Sequence, residues 1–257
     1  MVRRVFALGL LLLVLAGVLC ACGGSRPSYT IAIDPDLPPF AFPSNTAEGE
    51  YQGIEPDLLA AIAAVQEFDY TLEPMGRDAA LEALAEGQVD GVLAGLSLTD
   101  ALRGSATVSE PYYSGSIVLA VQAGETGIQS VEDLEGKTVA VRRGTAAAAY
   151  AESIAEKYRF NVVAFATAKE VYQDAGAGSD ACIDEYCVLS YGIIQGSSLY
   201  VVTTLDRTAE YVLAASSEGD GTLLSAFQNG LAALREDGSY DSILGKYVVT
   251  NTTDSES

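Results

Sequence analysis

The sequence predicts an α/β fold with largely parallel sheets. Two features point there. Short apolar strands alternate with longer helical stretches along the chain, and the helical stretches are bounded by residues that start and stop helices. No internal repeat is evident and no low-complexity linker separates the halves, which suits two lobes sharing hinge strands.

Tyr29 to Ile33 reads as the first strand. Pro56 to Glu67 carries Leu58, Ile62 and Val65 at helical spacing, with Pro56 suited to a first turn. A second helix is expected from Asp78 as N-cap, through Leu81 and Leu84, to Gly87 as its stop. Val89 to Ala94 returns as a strand. The second half repeats this grammar: Ser130 to Gly136 forms a capped short helix, Thr138 to Val141 a strand, and Thr145 to Tyr158 an Ala-rich helix. Cys182 and Val188 flank another strand-to-helix turn. Leu224, Phe227, Leu231 and Leu234 give a buried helical face that Asp237-Gly238-Ser239 ends. Residues 250–257 are polar and expected to be a disordered tail.

Arg3 and Arg4 precede an apolar run from Val5 to Leu19, which reads as an export signal too short to span a bilayer comfortably. Leu19-Cys20-Ala21-Cys22 then resembles a bacterial lipobox, with Cys22 as the acylated residue because Ala21 before it is small. Residues 1–21 are thus expected to be a lipoprotein signal peptide and 22–28 a tether. The protein would work outside the cytoplasm, held to the membrane by its N-terminal lipid.

With 14 Lys and Arg against 35 Asp and Glu, the formal charge is −21, and a phosphate backbone would repel the chain. Nucleic acid is therefore excluded as a partner. The acidity names no cationic ligand, since most carboxylates form a solvated surface that favours a soluble monomer. Histidine is absent, which removes the commonest general base and metal ligand and excludes histidine-dependent nucleophiles. No metal or cofactor is expected. Cys182 and Cys187 sit in a compartment that permits a disulfide, but the short loop leaves two readings open, a bridge or two buried thiols.

Blocks of residues then accumulate in order: Ile33-Asp34 with Pro38-Pro39-Phe40-Ala41-Phe42; Gly53-Ile54-Glu55-Pro56-Asp57-Leu58; Gly87-Gln88-Val89-Asp90-Gly91; Ala94-Gly95-Leu96-Ser97-Leu98-Thr99; Ser109-Glu110-Pro111-Tyr112-Tyr113; Asp133 to Lys137; Gly144-Thr145; Asp180-Ala181; and Asp237 to Asp241 leading to Lys246-Tyr247. Over nearly the whole chain after the signal, they resemble the extracytoplasmic solute-binding proteins of polar amino-acid ABC importers. The resemblance implies a two-lobed, periplasmic-binding-protein-like (type II) fold with two hinge crossovers. One lobe would take residues 28–118 plus 212–249 and the other 119–211. It also implies capture of a small polar solute, an amino acid, for delivery to an importer permease.

The site that the resemblance implies joins Asp34 and Leu37, Arg77, Gly95, Ser97 and Arg103 of the first lobe to Arg142, Thr145, Ala146 and Glu185 of the second. Independently, Gly144-Thr145 opens a helix whose N-terminus offers N–H groups to a carboxylate. Gly95 to Ser97 lie at the strand edge where open α/β sheets bind ligands. Glu185, with Asp184 beside it, falls where the family's acid receives the α-amino group.

This chain departs from the family at three places. The family's carboxylate-clamping arginine, three residues after the threonine, is here Leu102, with Arg103 next to it. Leu37 and Arg77 stand where two aromatic residues commonly sandwich the ligand. Phe40 and Phe42 read as core. Either Arg103 or Arg77 would then take the ligand carboxylate. The expectation is a binding protein rather than an enzyme. The alternatives are a cyclohexadienyl (arogenate/prephenate) dehydratase-like enzyme using Asp34, Glu185 and Arg103, or a ligand-sensing input for a membrane receptor.

Overall fold

The computed structural model describes residues 26–99, 102, 105–216 and 221–248. Arg103, Cys22, the expected signal segment and the expected tail lie outside the described residues.

Two five-stranded sheets form the framework. The first has the order β4 (Asp69–Pro74), β1 (Ser28–Ile33), β5 (Gly91–Leu93), β12 (Ala214–Ala215) and β6 (Thr107–Val108). Strands β1, β4 and β5 are parallel, with Ile31 opposite Leu72 on one side and Gly91 on the other. The second sheet has the order β11 (Leu199–Tyr211), β7 (Tyr113–Gln122), β10 (Ala181–Glu185), β8 (Thr138–Arg142) and β9 (Asn161–Phe165). Here β10, β8 and β9 are parallel, while β7 runs antiparallel to both β10 and β11. A short ribbon pairs β2 (Phe42–Pro43) with β3 (Tyr51–Gln52). The fold is the expected two-lobed α/β architecture.

Chain passage between the sheets is concentrated at β7 and β11. The Tyr112 N–H donates to the Tyr211 carbonyl, and Ser97 bridges Tyr211 just where the first sheet gives way to the second. Phe40, Tyr112, Tyr113 and Tyr211 pack together at this passage, with Phe40 and Tyr211 ring centres 4.4 Å apart. Phe40 is fully buried, whereas Phe42 reaches across to Tyr191 of the second lobe at 5.7 Å.

Helix α1 (Ile54–Gln66) starts two residues before the expected Pro56 and buries Ile54, Leu58, Leu59 and Ile62. It packs on α6 (Thr222–Glu236), where a side chain at Gly230 would strike Ile62. Helix α2 (Arg77–Ala85) begins two residues earlier than expected, so Asp78 lies in its first turn and Gly76 holds the cap position. The Ser130 segment forms a single 3₁₀ turn, closed by a reciprocal Ser130–Asp133 capping box. Helix α3 (Ala146–Tyr158) starts one residue after the expected Thr145, which caps it through a hydroxyl that accepts from the Ala148 N–H. Helices α4 (Ala168–Asp174), α5 (Tyr186–Ile194) and α7 (Ser239–Leu244) complete the described layers.

Candidate functional site: the interlobe cleft

The residues singled out in the sequence converge because they follow the carboxyl ends of parallel strands. Asp34 follows β1, Gly95 and Ser97 follow β5, Arg142 closes β8 and Glu185 closes β10. A strand's carboxyl end leaves side chains and main-chain groups without a further ladder partner, which is why open α/β sheets use it for ligands.

On the second lobe's wall, Arg142 is 2% exposed and Glu185 is fully buried. The Arg142 Nη2 donates to Glu185 Oε2 at 3.4 Å, and the Ala147 N–H donates to Glu185 Oε1 at 3.4 Å. Burial alone would raise the Glu185 carboxyl; Arg142 and hydrogen bonding to Asp184 reverse this and hold it below its ordinary value. Burial likewise opposes the Arg142 charge, but Glu185 and then Asp184 outweigh it and the guanidinium is held firmly protonated. The Asp184 carboxylate accepts from the Tyr172 hydroxyl at 2.7 Å and from the Glu185 N–H at 2.8 Å. Burial and the neighbouring Glu185 raise it to about 7. Thr145 is turned inward: its hydroxyl donates to the Arg142 carbonyl at 2.9 Å and serves the helix cap.

The first lobe's wall meets this one directly. Ser97 is fully buried, and its hydroxyl accepts from the Ala146 N–H at 2.8 Å and donates to Glu185 Oε1 at 3.2 Å. Arg77, at the start of α2, extends across the cleft and donates to the carbonyls of Arg143 and Gly144. Arg77 is 8% exposed, and burial followed by repulsion from Arg142 lowers its guanidinium to about 10. Asp34 is half-buried; desolvation raises its carboxyl, opposed by the Asp36 N–H and by Arg142.

Leu37 is 2% exposed and packs over Gly95, which has φ +56 and no room for a Cβ against that leucine. The residue thus shapes the wall by apolar packing. Leu102, standing where the family's arginine is expected, is 4% exposed and belongs to the apolar cluster with Ala80, Leu84, Val89 and Leu96. That position contributes to the core and supplies no guanidinium.

Glu55 was not singled out in the sequence as a site residue. It is 1% exposed, and its Oε1 accepts from the Gly95 N–H at 2.8 Å and the Tyr112 hydroxyl at 2.6 Å. Its Oε2 and the Arg142 Nε are buried without a hydrogen-bond partner among the described residues. Burial with no cation in contact pushes the Glu55 carboxyl up to about 7. The available signal was its four-residue offset from Leu59, which places it on the buried face of α1.

Of the two readings open for the cysteines, the structure has the second: Cys182 and Cys187 are separate buried thiols. Cys182 packs within the second lobe beside Val118, Ala140 and Leu189, whereas Cys187 lies 3.4 Å from the Tyr211 hydroxyl on the other side of the strand-to-helix turn. Burial pushes the Cys187 thiol up to about 12. No group of metal-ligating side chains occurs among the described residues.

A cavity of 590 Å³ opens beside the charged site, between the Asp36–Pro38 loop and helices α4 and α5. It touches the site through Leu37 and Tyr172, and Arg77, Ser97, Arg142 and Glu185 do not line it. The buried charged residues gather in the cleft and not in this cavity, so the cleft carries the functional argument and the cavity is an annex to it.

Known proteins share this sequence pattern and fold. The lysine/arginine/ornithine-binding periplasmic protein of Escherichia coli is 27% identical over 226 residues, covering 85% of this chain and 87% of its own. An ancestral arginine-binding protein bound to arginine superposes with a TM-score of 0.77 at 27% identity, over 88% of this chain and 100% of its own. The second substrate-binding domain of Lactococcus lactis GlnP, in an open conformation, is 33% identical but superposes at only 0.63, over 88% of this chain and 97% of its own. Residues 29–250 match the bacterial extracellular solute-binding proteins, family 3, and the chain belongs to that family.

Proposed function

We propose that this protein captures one amino acid between its lobes and hands it to an ABC importer permease in the cell membrane. The observation that carries the reading is the meeting of Glu185, Arg142, Ser97, Arg77 and the first-turn N–H groups of α3 at one buried place. A zwitterion entering such a cleft loses its water, so both charged ends must find charged or dipolar partners. Glu185 suits the α-ammonium group. The positive dipole end of α3, whose first N–H groups are held by Ser97, Glu185 and Thr145, the unpartnered Arg142 Nε and a first-lobe arginine, Arg77 or Arg103, suit the carboxylate. Asp34, Leu37 and Gly95 complete the first-lobe wall, and Thr145 and Ala146 the second.

In this reading the lobes comprise residues 28–118 plus 212–249 and 119–211, swinging about the adjacent strands β7 and β11. The protein is a binding protein rather than an enzyme. It acts outside the cytoplasm as a monomer, anchored by lipid on Cys22. Changing Cys22 to Ala should release it from the detergent phase; unaltered partitioning would remove the anchor from the account. The function is tested by a thermal-shift screen of the twenty amino acids, because a ligand binding only the folded state raises the melting point by mass action. At least one amino acid should raise it, and a flat result across all twenty would refute the reading.

A further inference from the structure

We propose that Arg77 makes this cleft selective for amino acids whose side chain ends in oxygen acceptors, a carboxylate or a carboxamide, and sets it against lysine and arginine. The inference rests on the amino-acid reading above and deepens it.

The geometry supplies three arguments. First, the second-lobe rim offers the carbonyls of Arg143 and Gly144 to the cleft, and both are taken by the Arg77 guanidinium. A cationic ligand side chain would compete for these acceptors with a group tethered in place. Gly144, at φ +72, accommodates the approach: a Cβ there would stand 3.2 Å from Arg77 Nη2. Second, Arg77 and Arg142 bring two buried guanidiniums to the same cleft, close enough for each to repel the other. A third cation would add to this repulsion in a medium where charges are weakly screened. Glu185 is engaged by Arg142, Ser97 and the Ala147 N–H and, in the reading above, takes the α-ammonium group, so the half-buried Asp34 on the first-lobe wall is left to offset two guanidiniums. Third, Arg142 Nε is a buried donor without an acceptor. The unsatisfied side-chain atom of the second-lobe wall, among the described residues, is therefore a donor that calls for oxygen on the ligand; the orphan acceptor, Glu55 Oε2, belongs to the first lobe. A guanidinium fork matches a carboxylate in two parallel hydrogen bonds and a carboxamide oxygen in one.

The test is calorimetric titration of the intact protein with L-glutamate, L-glutamine, L-arginine and L-lysine, repeated on Arg77→Met and Arg77→Lys. Glutamate or glutamine should bind with a Kd at least tenfold lower than arginine or lysine. Arg77→Met should shrink that preference at least tenfold, while Arg77→Lys, which keeps the charge, should preserve its order. Arginine or lysine binding as tightly as glutamate and glutamine to the parent protein would overturn the inference while leaving amino-acid capture standing. So would an unchanged preference in Arg77→Met. Binding of none of the twenty amino acids would refute the underlying reading, and the inference would fall with it.

Discussion

Each wall of the cleft rests on one buried glutamate, and the two are held in opposite ways. In the second lobe Glu185 lies against Arg142 and under the first turn of α3, and its carboxyl is kept ionised. In the first lobe Glu55 lies under the Gly95 loop, receives one N–H and one hydroxyl, has no ion-pair partner among the described residues, and is pushed up to about 7 by burial. The same side chain at comparable burial is a fixed charge in one wall and a proton-exchanging strut in the other. Its partners decide which, because desolvation disfavours the charged form in both. Glu185 therefore keeps its charge across physiological pH, whereas the loop presenting Ser97 stands on a group whose charge changes within that range.

The comparison is broken most strongly at Arg142. Removing a member of a buried pair leaves the other charge uncompensated, at a cost of about 3–5 kcal/mol. Urea denaturation of Arg142→Met at pH 7 should show a loss of that size, and the double variant with Glu185→Gln should recover part of it. A loss below about 1 kcal/mol would mean that the pair is not the anchor described.

Binding gives the next effect. Glu185→Ala should weaken the captured amino acid by roughly 2–5 kcal/mol, the range found when one partner of a buried, hydrogen-bonded charge pair is truncated. Calorimetry on the ligand found by the thermal screen measures it directly, and parent-like affinity would take Glu185 out of the site.

The contrast is sharpened by pH. The Glu55 carboxyl is raised in the folded state, so the folded protein holds a proton that the unfolded chain releases, and its contribution is fully present below the unfolded value of 4.5. It is lost as pH rises through about 7. The full span corresponds to about 3 kcal/mol. Asp184, also raised to about 7, acts in the same direction, so the informative quantity is the stability difference between the parent and Glu55→Gln. That difference should shift in the variant's favour as pH rises from 5 to 8. A pH-independent difference would show that Glu55 keeps one charge state throughout.

Much of the fold was legible, and the gaps have physical causes. Thr145 before an Ala-rich stretch fixed the start of α3, and the Leu224, Phe227, Leu231, Leu234 spacing located α6, because caps and helical periodicity are local signals. The hinge strands were not located this way. In β11 the register against β7 slips between Val201 and Thr203 and again between Thr204 and Thr208, so the two-residue alternation that would announce a 13-residue strand is interrupted. In the site, the carboxyl ends of β8 and β10 were readable from strand-to-helix turns. That Arg77 crosses to the opposite lobe was not, since an arginine opening a helix looks locally like any solvated residue. Glu55 was concealed similarly: an acidic residue in a helix's first turn ordinarily faces water and the helix dipole.

The smallest stability effect is expected at the contact joining the walls. Ser97→Ala removes an acceptor from the Ala146 N–H and a donor from Glu185, and should destabilise by about 1–2 kcal/mol in thermal unfolding followed by circular dichroism. A neutral result would show that the walls do not depend on this hydroxyl.

Capture between the lobes, rather than on either one, is tested most directly by small-angle scattering of the protein with and without its saturating amino acid. The radius of gyration should fall on binding to the value calculated from this structure, in which Arg77 and Ser97 reach the opposite wall. Calorimetric binding with an unchanged radius of gyration would contradict the account.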